Sequence, residues 1–418
     1  MNRKIFGWAL YDFANTPLTV ATGGLFLAQW VVLDNHVDDI WYGVVFTLAT
    51  IALLFTSPFL GAWSDKMGQR MPFMKWTTII LIVVGVLMGV VSVSSMERIP
   101  RLVIVLALFF VWQYVYHVSL IFYDALLKFL AKSEFRGKVS GIGEALGELG
   151  WLVGPLMLLP FSIGAITLFG EPGRGQVFLP AAAMLIVFGL PMFLWLKEPK
   201  TKNKVVINVG SVYKETIAGL RSLIKKNKNV TIFLVSFMFV SDALLTANLY
   251  FAIYLDQIFK MTDVQKGLFL VVMEVVAVVS ALVFGRLSDR IGNKTLMIAS
   301  CFNLTFVYVA MSAVSSVFWA FVLAGFSGFG FGVFYTTART LAVKISPPHR
   351  LGEYLGFFST FQRFASIIGP LTWGLVTFFL KDYGVMRYRV AVFVLAILMF
   401  LGTMIAFKIK EKPALVKS

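Results

Sequence analysis

The sequence predicts an all-α integral membrane protein in which twelve transmembrane helices form two pseudo-symmetric six-helix bundles. The 418 residues are 59% hydrophobic and only 14% charged, which is too apolar for a water-soluble chain of this length. Twelve apolar runs are long enough to cross a bilayer core of about 30 Å, because a helix rises about 1.5 Å per residue. A charged ten-residue stretch also occurs once in each half of the chain, which indicates a duplicated plan.

The predicted spans follow one another through short connections, apart from one longer insert after span six. They cover residues 6–32, 41–62, 73–95, 101–127, 139–163, 176–196, 229–258, 264–285, 295–314, 316–341, 352–380 and 386–408. The predicted domains are an N-terminal bundle, a cytoplasmic linker with an amphipathic helix, a C-terminal bundle and a cytoplasmic tail: 1–196, 197–228, 229–410 and 411–418. Polar residues near the start of the first run, without a small-residue cleavage site, indicate a retained span and not a signal peptide.

The repeated stretch joins spans two and three, and again spans eight and nine. Residues 61–70 read GAWSDKMGQR and residues 285–294 read GRLSDRIGNK, so eight of the ten positions are identical or similar. A second set of glycine and proline positions, which precede or lie in span five, recurs 215 residues later at span eleven: Gly137, Gly141, Gly154 and Pro155 match Gly352, Gly356, Gly369 and Pro370. Two separate matches predict a 6+6 duplication.

The distribution of positive charge predicts the topology. Of the 37 Lys and Arg residues, 27 lie on the side that holds both termini and the central insert, 8 lie on the other side, and Arg339 and Arg363 lie within spans. Because cytoplasmic loops carry the excess of Lys and Arg, both termini are expected in the cytoplasm, at the plasma membrane or, in a bacterium, the inner membrane. The net charge of +16 therefore reflects topology, and no nucleic-acid partner is expected.

The central insert combines a basic, extended stretch at 197–210 with an amphipathic segment at 211–226. In that segment Tyr213, Ile217, Leu220 and Ile224 share one helical stripe. The pattern predicts a basic helix on the surface of the cytoplasmic leaflet. A regulatory or partner-binding element is the alternative, although an interfacial linker requires no further role.

The pattern Gly-x-x-Ser-Asp-(Lys/Arg)-x-Gly-x-(Arg/Lys) in both halves resembles the signature loop of the major facilitator superfamily. The resemblance extends over the whole chain and implies the major facilitator fold and a secondary transporter that works by alternating access. It also implies that the charged loop residues form a gating relay. Asp124 and Arg339, 215 residues apart near the ends of spans four and ten, are expected to extend that relay, whose loop members are Asp65, Lys66, Arg70, Asp289, Arg290 and Lys294.

A narrower resemblance concerns the vacuolar amino-acid effluxer branch, the autophagy-related effluxer-like transporters and their bacterial relatives. Residues 8–16 read WALYDFANT and are similar to its first-span signature. RGKVSG at 136–141, ALG at 145–147, and RTL at 339–341 with Pro348, Arg350, Glu353 and Gly356 resemble its later motifs. The resemblance implies a small metabolite as substrate, with amino acids the leading expectation. The chain departs from the pattern at three charged positions: Glu144, Glu148 and Glu274.

Ionisable side chains inside spans are costly and are expected to face a cavity or a partner. Asp12 and Asp242 lie on the first span of each half, and the family resemblance places both, with His117, on cavity-lining spans. A carboxyl group removed from water binds a proton more readily, which suggests proton coupling. The alternative for Asp12 is that it caps a helix break before Pro17. For His117, a single hydrogen bond in a helix interface is favoured over a role in binding.

Glu144 and Glu148 share one helical face because they are four residues apart. Two close carboxyl groups suit a proton carrier or a cation site, and a mutual hydrogen bond is the alternative. Together with Asp12 and Asp242 they are the candidates for proton coupling. Four glycines on a neighbouring face predict close helix packing: Gly143, Gly147, Gly150 and Gly154.

Arg363 cannot discharge within the membrane and is expected to have an anionic partner. Glu274 and Asp242 lie at a similar predicted depth in the same half, so a buried pair is one alternative. The other is that Arg363 binds a substrate carboxylate or phosphate when that pair opens. The complete set of candidate substrate-binding residues is Arg363, Glu274, His117, Asn15 and Asn248.

No motif in the sequence indicates an enzyme, a cofactor or a metal site. A Walker loop, zinc-spaced His and Cys residues and a nucleophile elbow are missing, and the glycines near 141–147 lie inside a span with no preceding strand. The expected partners are a small-molecule substrate and the lipid bilayer, and we expect a monomer. Two alternatives on the same fold are a lipid flippase or scramblase with a lateral opening, and a non-transporting sensor that signals through the central helix.

Overall fold

The computed structural model describes residues 2–67, 69–131, 135–198, 209–347 and 351–411. Within these ranges the side chains of a few helical residues are not described, among them those of Asp65, Lys66, Asp289 and Arg363. Three features predicted above lie wholly or mostly outside the described residues: the extended stretch at 197–210, the tail after residue 411, and the motif positions Pro348 and Arg350. The described residues form helices and turns without a β-strand, as predicted.

The chain forms two compact units, one comprising Met1–Val37 and Val44–Thr216, the other Asp38–Gly43 and Ile217–Ser418. The helices that begin in the first unit are α1 Arg3–Thr22, α2 Leu27–Gln29 with a π-helical turn Trp30–Asp34, α4 Met71–Ser92, α5 Arg98–Leu130, α6 Arg136–Ser162, α7 Phe178–Trp195 and α8 Val209–Lys226. The helix α3 Asp39–Met67 has its first residues in the second unit. The remaining helices of the second unit are α9 Lys228–Phe259, α10 Asp263–Ile291, α11 Asn293–Ala313, α12 Val317–Ile345, α13 Leu351–Phe364, α14 Ile368–Phe379 and α15 Met386–Ala406.

Most of the predicted spans form helices with the length and apolar composition that a membrane span requires. In the described part of the chain, eleven helical segments are long and apolar enough to cross a membrane, and Ile368–Phe379 is a shorter apolar helix. Their outward-facing side chains are largely apolar; Phe55, Trp76 and Leu282, for example, are each at least 65% exposed. Apolar side chains at that exposure are stable in contact with lipid.

The predicted span 352–380 is the one that differs, because it is not a continuous helix. α13 ends at Phe364, and α14 begins after a turn of three residues. Pro370 has no backbone N–H to donate to the carbonyl four residues earlier, which weakens a helix through this position. The N–H of Gly369 donates instead to Oδ1 of Asp242 on α9, at 2.9 Å. A Cβ at Gly369 would lie 1.9 Å from Oγ1 of Thr246, so only glycine permits this approach.

The predicted glycine seam of α6 is confirmed as a surface of close helix packing. Each of its glycines faces α1, and an added Cβ would lie within 2.7 to 3.3 Å of an α1 atom. The facing pairs are Gly143 with Trp8, Gly147 with Asp12, Gly150 with Thr16, and Gly154 with Pro17. Glycine at these positions lets the two backbones approach, which provides the van der Waals contact that holds helices together in lipid.

The amphipathic helix α8 forms as predicted, but its predicted stripe does not act as one face. Leu223, which is not on that stripe, is only 2% exposed, whereas Ile217 and Ile224 are 51% and 48% exposed. Tyr213 is half-buried, and its hydroxyl donates to the carbonyl of Phe55. The helix thus uses an adjacent face to contact the protein, and the two isoleucines stay available for contact with the membrane surface.

The glycine seam generates a prediction for stability. Gly150→Ala places a methyl group 2.7 Å from Cβ of Thr16 and should destabilise the protein by about 1–3 kcal/mol through overpacking. Gly141→Ala is the matched control in the same helix, because no atom lies within 4 Å of its added Cβ. The measurement is the midpoint of thermal unfolding in detergent. Equal midpoints for the two variants would contradict close packing at the seam.

Candidate functional site

Four acidic residues come together in the first unit, and we call them the acidic cluster: Asp12, Asp124, Glu144 and Glu148. Asp12 is half-buried on α1, and the other three are exposed on α5 and α6. Each of those three acts electrostatically on the Asp12 carboxyl group. The cluster therefore unites three predicted proton-coupling residues with Asp124, which was predicted to belong to the gating relay.

The position of Asp12 is set by the glycine seam. A Cβ at Gly147 would lie 2.9 Å from Oδ2 of Asp12, so the carboxylate occupies space that any larger residue would fill. The alternative that Asp12 caps a break before Pro17 is not supported, because α1 is continuous from Arg3 to Thr22. Among the described residues no group of three or more His, Cys, Asp or Glu side chains could hold a metal ion.

Asn15 and His117, predicted to bind substrate, also lie in the first unit. Asn15 is 1% exposed, and within the described residues its Oδ1 has no hydrogen-bond partner. Nε2 of His117 lies 3.0 Å from Nε2 of Gln113, one turn earlier on α5, and its ring packs edge-on against Tyr116. The structure thus gives His117 a local hydrogen bond, as the simpler of its two predicted roles requires.

Asp242 in the second unit has a structural task. It is 3% exposed, and its carboxylate accepts the Gly369 N–H at the start of α14. The positive end of the helix dipole stabilises a negative charge at that point. The capping role that was an alternative for Asp12 is therefore found at Asp242.

Glu274 and Asn248 line a cavity of about 80 Å³ inside the second unit. Several water molecules or one small organic group would fit, since one water needs about 10–15 Å³ on this scale. Arg363 lies on α13, but its side chain is outside the described part of the structure, and so is its predicted pairing with Glu274 or Asp242. The cavity lies among α9, α10, α11 and α12, with Trp373 of α14 and Val392 of α15 in its wall.

The predicted gating residues are partly described. The side chains of Asp65, Lys66 and Asp289 are outside the described residues. Arg290, Asp124 and Arg339 are exposed, the last two in different units. Arg70 and Lys294, at the starts of α4 and α11, make specific contacts with two glutamates that sequence reasoning missed.

The first of these glutamates is Glu198, which follows α7. Its Oε2 accepts the N–H groups of Arg70 and Met71, at 2.5 and 2.8 Å, and so caps α4. Its Oε1 lies 3.6 Å from Nη1 of Arg70, and the guanidinium lies over the ring of Phe129 at 4.9 Å. Arg70 and Glu198 are 6% and 3% exposed, so water screens this ion pair little.

The second glutamate, Glu411, follows α15 and repeats the arrangement in the second unit. It accepts the N–H groups of Asn293 and Lys294, at 3.2 and 2.8 Å, and so caps α11. Nζ of Lys344 lies 3.9 Å from its Oε1. In each unit, a glutamate that follows the last span therefore caps the start of the third span. In the sequence, the sign of each cap was a single glutamate within a basic stretch, Glu198 in one half and Glu411 in the other.

Comparison with known proteins agrees with this architecture. The family model described as Major Facilitator Superfamily matches residues 13–251 and 232–418. An uncharacterized MFS-type transporter of Bacillus subtilis (strain 168), YxiO, is 24% identical and covers 97% of this chain and 95% of its own. The multidrug resistance protein MdtG of Salmonella paratyphi C is 23% identical over 83% of this chain and 81% of its own.

Solved structures confirm the predicted fold class. The nucleoside transporter NupG has a TM-score of 0.73 and 17% identity, covering 98% of this chain and 100% of its own. A D-xylose-proton symporter has a TM-score of 0.73 and 12% identity, covering 100% and 99%. At these identities the likeness shows the fold alone.

The paired glutamate caps generate a prediction for stability. Glu198→Ala or Glu411→Ala leaves two N–H groups at a helix start without their acceptor and should cost about 1–3 kcal/mol. Glu198→Gln keeps a neutral acceptor and should cost less, because only the charge is lost. Thermal unfolding of the purified variants measures the effect. The control is Glu215→Ala on the exposed face of α8; a loss as large there would show that the caps have no special role.

Proposed function

The chain belongs to the Major Facilitator Superfamily of transporters, and we propose that it is a secondary active transporter that couples a small metabolite to protons by alternating access. The observation that carries the proposal is the acidic cluster around Asp12, on the first span of the chain. Asp124, Glu144 and Glu148 lie near enough to act electrostatically on the Asp12 carboxyl group, which favours a proton there, and a proton site that is reached from alternate sides is what coupling requires.

The helix contacts of Asp12 support this role. Backbone N–H groups in the middle of a helix are already bonded to carbonyls one turn earlier. Asp12 and its neighbour Gly147 both lie inside helices, so Asp12 does not serve as a helix cap there. An ionisable side chain held inside a membrane span without a capping task points to function.

We propose amino acids as the substrate class. The support is the similarity of residues 8–16 and 136–147 to the vacuolar amino-acid effluxer branch. The similar proteins named above include a multidrug resistance protein and, among solved structures of the same fold, a nucleoside transporter and a D-xylose-proton symporter. The fold thus serves diverse substrates, and a proton symporter with this fold is compatible with proton coupling here.

The same proposal includes the topology. The excess of Lys and Arg on one side supports cytoplasmic termini and a cytoplasmic linker with α8 between two six-helix bundles. The resemblance of the two charged loops to the superfamily signature supports gating there. We further propose that the protein acts as a monomer in the plasma membrane, or in the inner membrane of a bacterium.

Asp12→Asn tests the coupling role, because asparagine has nearly the same volume and cannot carry the proton. In proteoliposomes with an imposed pH gradient, accumulation of radiolabelled amino acids should fall to the level seen without a gradient. Exchange of amino acid across the membrane at equal pH should persist. Glu215→Gln, on an exposed face of α8, is the control. Accumulation by Asp12→Asn with unchanged dependence on pH would remove Asp12 from coupling, and a wild type that moves no amino acid would refute the substrate class.

Asp242 allows its structural and coupling roles to be separated. Asp242→Asn keeps an oxygen for the Gly369 N–H, whereas Asp242→Ala leaves that donor unpaired and should cost about 1–3 kcal/mol in stability. If Asp242 also couples protons, both variants should lose gradient-driven accumulation in the same assay. If it serves only as a cap, Asp242→Asn should retain both its thermal midpoint and its accumulation.

A further inference from the structure

The helix α8 has one side that is turned away from the rest of the chain. Three cations, two isoleucines and an alanine lie along that side, and we call them the basic stripe: Lys214, Ile217, Ala218, Arg221, Ile224 and Lys225. We propose that the basic stripe binds the surface of a bilayer that contains anionic phospholipid, with its cations at the lipid phosphates and its isoleucines among the acyl chains.

Helical geometry places these six residues together. With 3.6 residues per turn, they fall within a sector of about 120° around the helix axis. All six are exposed, Ile217 by 51% and Ile224 by 48%. Leu223, which is 2% exposed, lies on nearly the opposite side. The protein therefore covers one side of α8 and leaves the basic stripe open.

Charge makes the basic stripe complementary to an anionic surface. Its three cations are exposed, and the ion pairs among the described residues involve other cations. The one acidic residue of α8, Glu215, lies outside the stripe. Clustered Lys and Arg side chains beside a membrane are attracted to anionic headgroups, and a surface without net charge does not attract them in this way.

The isoleucines favour a bilayer over a soluble acidic partner. The side chains of Lys and Arg have long apolar stems, which can lie along hydrocarbon while the charged ends reach the headgroups. Ile217 and Ile224, two helical turns apart between the cations, extend that apolar surface. Apolar and basic side chains combined in this way are typical of helices that lie in the membrane interface.

Both ends of α8 are attached to helices that are long and apolar enough to cross a membrane. Near its start, the hydroxyl of Tyr213 donates to the carbonyl of Phe55 on α3, whose own side chain is 65% exposed. At its end, only Asn227 separates α8 from α9, which begins at Lys228. These attachments hold α8 beside the lipid, where headgroups are within reach of the basic stripe.

A fluorescent probe on the basic stripe tests the inference in the full-length protein, and the test does not depend on transport. Ile217→Cys is labelled with nitrobenzoxadiazole, whose emission moves to shorter wavelength in apolar surroundings, and is reconstituted in two kinds of vesicle. One contains phosphatidylcholine alone, and the other contains equal parts of phosphatidylcholine and phosphatidylglycerol. Emission should lie at shorter wavelength in the anionic vesicles, and the difference should be lost at about 1 M salt, where the Debye length is about 3 Å.

A second labelled position is the matched control. Thr216→Cys is exposed on the other side of α8 and should emit alike in the two kinds of vesicle. The native Cys301 is 0% exposed, so the label attaches at the introduced cysteine. An equal response at positions 216 and 217 would overturn the assignment of the lipid contact to the basic stripe.

Neutral variants separate the charge of the stripe from general effects. In the Ile217→Cys protein, the combination of Lys214→Gln, Arg221→Gln and Lys225→Gln should abolish the difference between the vesicles and leave the midpoint of thermal unfolding unchanged, because all three side chains are exposed. The control combination removes three exposed cations elsewhere and should keep the difference: Arg98→Gln, Lys260→Gln and Lys381→Gln.

Two further outcomes overturn the inference. One is equal emission of labelled Ile217→Cys in neutral and anionic vesicles, which is the result expected of a stripe that serves an acidic protein instead of lipid. The other is a folded neutral variant of the stripe that keeps the difference between the vesicles.

Discussion

Backbone N–H groups without a partner are costly in hydrocarbon, and this cost limits where a membrane-spanning chain can start or interrupt a helix. In this chain, carboxylates repeatedly accept hydrogen bonds from such N–H groups and so remove this cost. Asp242 holds the start of α14, Glu198 the start of α4, and Glu411 the start of α11. A negative charge suits these places because the amino end of a helix carries a partial positive charge. The broken eleventh span and the two charged loops therefore rest on the same interaction.

The two halves share the glutamate cap at the start of the third span, but they differ at the acidic residue of the first span. The caps by Glu198 and Glu411 are equivalent, since each follows the last span of its unit and binds the start of the third. Asp12 and Asp242, although both lie on the first span of a half, differ in their surroundings. Asp12 faces a glycine inside α6 among other acids, whereas Asp242 faces a helix start. Symmetry of sequence position thus does not imply symmetry of role.

The sequence predicted those features that depend on local patterns. Helical spans and the glycine seam follow from spacing and composition, and they agree with the structure. The two repeated stretches lie where predicted between spans, but most of each one extends the preceding helix, α3 or α10, instead of forming a loop. The glutamate caps were missed because they join residues more than 110 positions apart. The break in α13–α14 was missed because a Gly-Pro pair inside an apolar run breaks a helix only when a partner such as Asp242 receives the exposed N–H. On α8, Leu223 was not chosen because the pattern does not say which side the protein covers.

Intramembrane acids are functional by default, and the structure allows that rule to be applied residue by residue. A carboxylate that binds a helix start has a structural reason to be there, as Asp242 does. Asp12 lies beside Gly147 inside α6, where the backbone N–H groups are already used within the helix, so capping does not explain it. Three other acids act on its carboxyl group, which is the surrounding that the proposed proton coupling needs. The carboxylates that cap helices serve the architecture instead.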